Sequence, residues 1–131
     1  MPDAEPASIL DASALIAFLH DEPGSNAVVE AIAHTAAVSV VNWAEALSKV
    51  ASDGADPQQV AAAFETMLIL EPLTETDCLE IARLRPLTKA HGLSLADRAC
   101  LALAKRLDLP VLTADRDWAD LDLGIAVQLI R

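Results

Sequence analysis

Several carboxylates in this chain stand where the fold they imply would gather them. Asp11 closes Ser8-Ile9-Leu10-Asp11, which reads as a short buried strand ending in an acid. Asp115 follows Val111-Leu112-Thr113 in the same way. Asp97 arrives by another route, in the first turn of a helix predicted from Leu95 to Leu107. Ligands of an open parallel sheet sit beyond the carboxyl ends of its strands, so these acids can converge at one end of such a sheet. Two carboxylates ~4 Å apart repel by about 4 kcal/mol at an effective dielectric of roughly 20, so gathering them does not serve stability. A hard cation such as Mg²⁺ takes oxygen ligands and turns that penalty into a binding site. Water bound to such a cation is a nucleophile near neutral pH, and the metal steadies charge on a phosphoryl oxygen. Phosphodiester hydrolysis is the reaction this set suits.

Each acid also has a plainer explanation. Asp11 can cap the helix that follows, since Asp is a preferred N-cap. Asp97 suits the positive end of its helix dipole, and Ser94 with Asp97 three residues on forms an acidic variant of the capping box. Asp115 lies in Thr-Ala-Asp-Arg-Asp, an ordinary turn sequence. Glu45 lies opposite the Trp43, Leu47 and Val50 face of its helix, which by periodicity is solvated surface.

The elements that would position these residues alternate. Ala14 to Leu19 reads as a helix, broken at Asp21-Glu22-Pro23-Gly24 before another from Ser25 to Ala33. Ala37 to Val41 is β-branched enough for a strand, and Asn42 to Ser52 is helical. Asp56-Pro57 places an N-cap before a helix reaching about Leu68. Ile69 to Leu73 is a strand, Thr74 or Thr76 caps a helix ending near Leu84, and His91-Gly92 is a loop. Leu109 to Thr113 is a strand, Asp115 to Asp120 a turn or one helical turn, and Ile125 to Ile130 a last strand. Such alternation predicts an α/β domain with a mainly parallel sheet. The 131 residues predict a single domain spanning 1–131.

Hydrophobic residues make up 53% of the chain, too many for a disordered one. Much of that is alanine, which favours closely packed helices. The net charge of −11 works against nucleic-acid binding, which rests on Lys and Arg. Bound cations or a basic partner protein would compensate. Cys78 and Cys100 match no zinc or redox spacing and read as buried thiols. His20, His34 and His91 show no ligand spacing. The acidic, proline-containing stretch from Met1 to Ala7 has no signal-peptide character, and no apolar run approaches the ~18 residues of a membrane span, so a soluble cytoplasmic protein is expected.

Taken together, the segments resemble the PIN-domain ribonucleases, and within them the VapC toxins of bacterial toxin–antitoxin pairs. Asp11-Ala12-Ser13-Ala14-Leu15 is similar to the family's opening motif, and Asn42-Trp43-Ala44-Glu45 to the helix carrying its second acid. Gly92-Leu93-Ser94-Leu95-Ala96-Asp97-Arg98 is similar to the third motif, and Leu112-Thr113-Ala114-Asp115-Arg116-Asp117-Trp118 to the fourth. Any one motif is weak; four in order, from residue 8 to about 129, are a strong signal. The resemblance implies a three-layer α/β/α domain with a short central sheet. It implies that Asp11, Glu45, Asp97 and Asp115 are the catalytic quartet that binds Mg²⁺ or Mn²⁺. Asp117 would be an auxiliary acid, and Ser13 and Thr113 would orient carboxylates or hold water. Cleavage of RNA by metal-activated water, a homodimer, and neutralisation by a cognate VapB-like antitoxin are also implied. Arg98 and Arg116, each beside a proposed acid, are the expected phosphate contacts, and Arg116 could instead pair with Asp117 or Asp120.

Two other readings compete. Haloacid-dehalogenase-like phosphatases also place a nucleophilic aspartate after the first strand, but they expect a second Asp where this chain has Ser13. The other is a catalytically silent PIN scaffold that only binds a partner.

Overall fold

In the computed structural model, which describes residues 5–131, five short strands form one wholly parallel sheet in the order β3-β2-β1-β4-β5. They are β1 (Ser8–Leu10), β2 (Ala36–Ser39), β3 (Leu68–Glu71), β4 (Val111–Thr113) and β5 (Val127–Leu129). Six helices connect them: α1 (Ala12–Leu19), α2 (Ser25–Ala33), α3 (Val40–Ser52), α4 (Pro57–Phe64), α5 (Glu75–Thr88) and α6 (Leu95–Leu107). Part of the acidic N-terminal stretch, residues 1–4, lies outside the described residues.

Period-two alternation divides the core between the two faces of the sheet. Leu10, Ala36, Val38 and Leu112 pack on one side with Leu15, Val28 and Phe64. Ile9, Ala37 and Val111 pack on the other with Cys100, Leu101, Leu103 and Trp118. Burial on both faces is what a parallel sheet requires, and it gives the layered α/β/α arrangement expected from the sequence. Phe64 meets Phe18 and Trp43 edge-on, with ring centroids 5.6 Å apart in each pair. No helix among the described residues is long and apolar enough to cross a membrane.

Helices α2 and α6 have the bounds expected, and several other elements shift for local reasons. Val40 and Val41 favour a strand, but Ser39 accepts a hydrogen bond from the Val41 N–H and starts α3 there instead. Helix α4 stops at Phe64 rather than near Leu68, because Leu68 pairs with Ala36 in the sheet. Helix α5 runs past Leu84 and through Pro86 to Thr88, whose hydroxyl donates to the Leu84 carbonyl. Its buried stripe of Asp77, Glu80, Ile81, Leu84 and Thr88 supplies packing that outweighs proline's poor helix propensity. Cys78 falls outside that stripe and is exposed, against expectation; Cys100 is fully buried.

Helices α5 and α6 lie antiparallel and are joined by ion pairs. Arg106 Nε donates to Asp77 Oδ1 at 2.9 Å, and Lys105 pairs with Glu80. Thr74 and Asp77 also form a capping box. Burial alone would push the Asp77 carboxyl up, but hydrogen bonds from Arg106 and Thr74, with the Arg106 charge, hold it below the usual carboxylate value. A depressed value stabilises the fold above the ordinary carboxylate range, and that contribution is lost as pH falls through it. Asp77→Ala is expected to cost about 3 kcal/mol at neutral pH in urea unfolding, with the deficit shrinking below about pH 4.

Candidate active site

The chain leaves β1 toward β2 on one side, and β4 lies on its other side, so the strand order reverses between β1 and β4. A crevice at the carboxyl ends of those two strands is where such a sheet binds ligands. Asp11 and Asp115 stand there. Asp11 is the N-cap of α1 and accepts a hydrogen bond from Ala14 N–H at 2.8 Å. Asp115 caps the 3₁₀ turn Arg116–Asp120 and accepts from Asp117 N–H at 3.0 Å.

Two hydroxyls tie these strand ends together. Ser13 Oγ donates to Asp11 Oδ1 at 2.7 Å and accepts from Ala114 N–H at 2.9 Å. Thr113 Oγ1 donates to Asp11 Oδ2 and accepts from Asp115 N–H at 3.0 Å. One hydroxyl therefore serves both acids, and β4 cannot shift without disturbing Asp11. The plain capping explanation of Asp11 is correct, and it is compatible with a chemical role.

Asp97 and Glu45 approach on helices. Asp97 Oδ2 accepts from Ser94 N–H at 2.9 Å while its own N–H donates to Ser94 Oγ, the reciprocal cap that the sequence suggested. Glu45 is exposed, as the periodicity of its helix requires, yet it lies within electrostatic reach of Asp97. The charges are felt in the titration of their neighbours. Burial pushes the Asp11 carboxyl up to about 6 against the hydrogen bonds from Thr113, Ala14 and Ser13, and the Asp97 charge adds to the rise. Partial burial, then the Asp97 charge, raises the Glu45 carboxyl. Burial pushes the Cys100 thiol up, reinforced by Asp11, Asp97 and Glu45. That buried thiol lies within the joint field of acids from β1, α3 and α6.

The remaining expected residues divide. Asp117 is exposed beside Asp115 and offers only its backbone N–H to it. Arg98 turns toward α5, where its Nη1 donates to the Ile81 carbonyl at 2.9 Å. Its Nε is buried with no hydrogen-bond partner among the described residues. Arg116 pairs with neither Asp117 nor Asp120; its Nη1 donates to the Arg131 carbonyl at 3.0 Å on the surface. Sequence reasoning gave Asn42 no role. It is 1% exposed, and its Nδ2 donates to the Ala96 carbonyl at 3.0 Å, joining α3 to the start of α6. The available signal was a polar amide on the Asn42, Ala46 and Val50 stripe that faces the interior.

Among the described residues no three His, Cys, Asp or Glu side chains are already grouped as a metal site. The donor set nevertheless fits a hard cation. Its donors are carboxylate oxygens, and neither Asp97 Oδ1 nor Asp115 Oδ2 has a hydrogen-bond partner among the described residues. Mg²⁺ commonly keeps several waters and needs only one or two carboxylates besides substrate oxygens.

The PIN domain family pattern matches residues 8–123. A toxin–antitoxin complex from Klebsiella pneumoniae contains a chain of similar fold, with a TM-score of 0.76 and 20% identity over 95% of this chain and 98% of that one. DNA-bound VapBC from Salmonella typhimurium gives a TM-score of 0.77 and 14% identity over 97% and 100%. VapBC-5 from Mycobacterium tuberculosis gives 0.62 and 28% over 96% and 99%. None of the curated proteins matches the chain.

The raised Asp11 carboxyl makes a stability prediction. An acid whose value is higher folded than unfolded is penalised as pH rises through that interval, and fully above about 6. In chelator-treated protein, Asp11→Asn is expected to stabilise the fold at about pH 8 by up to about 3 kcal/mol. The gain vanishes below about pH 4, as read from melting curves across pH.

Proposed function

Since this chain belongs to the PIN domain family, we propose that it is an endoribonuclease that hydrolyses RNA phosphodiester bonds with Mg²⁺ or Mn²⁺. The observation that carries the proposal is the shared Thr113 hydroxyl, which binds the Asp11 carboxylate and the Asp115 backbone at the sheet's reversal point. Capping accounts for an acid at this position, but an exposed cap would serve α1 as well, without the unfavourable burial.

In this reading Asp11, Glu45, Asp97 and Asp115 hold the cation. When bound, it supplies charge that offsets the carboxylates and the phosphate, and it lowers the pKa of water to give a nucleophile near neutral pH. Ser13 and Thr113 fix the Asp11 oxygens by hydrogen bonding, so that little freedom is lost on binding. Asp117 is an auxiliary acid on the rim. Arg116 is the better placed of the two proposed phosphate contacts, because it is exposed, whereas Arg98 is held against α5.

The proposal extends to partners. The similar solved chains come from toxin–antitoxin and VapBC complexes. This supports a VapC-type toxin neutralised by a VapB-like antitoxin. An antitoxin Arg or Lys entering the acidic cleft would supply the charge otherwise supplied by the cation. A homodimer belongs to the same proposal, and the exposed Leu79 and Leu87 of α5 offer it apolar surface.

Asp97→Asn tests the site with little risk to the fold, because the amide oxygen can still accept from Ser94 N–H. Mg²⁺-dependent cleavage of total RNA is expected to fall at least about a thousandfold while circular dichroism stays unchanged. Chelation of the wild type should have the same effect. Full activity in the purified variant, or cleavage that survives chelation, would refute the proposal.

A further inference from the structure

Asn42 sits in the first turn of α3 with its side chain in the protein interior. Asparagine is a mediocre residue inside a helix, because its side chain competes for backbone groups. Burying an amide is also unfavourable unless its hydrogen bonds are met. Here they are half met: Nδ2 donates to the Ala96 carbonyl across 54 residues of sequence, while buried Oδ1 has no partner among the described residues. An apolar residue would avoid the cost of the unmet Oδ1, so stability alone does not account for the residue.

Position does. Glu45 lies one turn further along α3, at the i+3 spacing that makes helical neighbours. Ala96, which takes the hydrogen bond, directly precedes Asp97. The amide therefore joins α3 and α6 at the level where each helix carries an acid, and those acids repel. We infer that Asn42 is a positioning residue, a cross-helix clamp that holds Glu45 and Asp97 at the separation a divalent cation requires. This inference rests on the metal site proposed above. Asn42 itself is placed to touch neither cation nor substrate; it acts through the two helices.

Calorimetric titration of antitoxin-free protein with Mn²⁺, with melting curves in parallel, tests the clamp. Asn42→Leu is expected to bind Mn²⁺ about ten- to a hundredfold more weakly, with a melting temperature equal to or above that of the wild type. A purely structural residue would show the reverse, a lower melting temperature with unchanged affinity. Asn42→Ser, whose side chain is too short to reach Ala96, replaces the leucine variant should that one not fold. Wild-type affinity in the folded variant overturns the clamp and leaves the metal site standing. Absence of Mn²⁺ binding by the wild type overturns the metal site, and the clamp with it.

Discussion

A buried carboxylate at the carboxyl end of a parallel sheet is the feature on which the surrounding contacts depend. Each acid is fixed locally before it can contribute to anything larger. Asp11 accepts from a helix N–H and two hydroxyls, Asp97 from Ser94 N–H, and Asp115 from Asp117 N–H. At Asp11 these bonds favour the charged form and oppose the unfavourable burial. They do not overcome it, and the carboxyl stays raised to about 6. The contrast with Asp77 is instructive. That acid has little exposed surface too, but the Arg106 guanidinium lies against it and, with Thr74, holds it low. The two acids differ in whether the chain provides a permanent cation. At the end of α6 it does; at the sheet's reversal point it does not.

Local chemistry was the legible part of the sequence. The Pro23-Gly24 break set the start of α2 and the Ser94 cap that of α6, and strand-then-acid patterns put Asp11 and Asp115 where the sheet ends. The parts that were not legible depend on partners distant in sequence. The Asp77 to Arg106 pair spans 29 residues, and it belongs to the packing that carries α5 through Pro86. The Arg98 to Ile81 contact, which turns a proposed phosphate contact into an interhelical tie, has no local signature. Asn42 was visible as a letter within a motif, but its task depends on where α6 passes. At Glu45 exposure does not decide between solvated surface and a place near the other acids. It is exposed as its helix demands, and it still feels the charge of Asp97.

The charge balance also looks different in three dimensions. A net charge of −11 argues against contact with a polyanion if charge is spread evenly. In the structure several basic residues are already committed: Lys105 and Arg106 to acids of α5, Arg98 to a carbonyl and Arg131 to Glu22. The cations left for a phosphate backbone are therefore fewer than composition suggests.

The hydroxyl link between Thr113 and Asp11 spans 102 positions of the polypeptide. A ribosome delivers β1, α1 and α3 long before it delivers β4, and early segments begin to fold as they emerge. Until Thr113 has emerged, Asp11 has the Ser13 hydroxyl but not the one that ties it to β4. The link between the two strand ends thus cannot form until β4 has been made, although β1 and α1 are complete long before it.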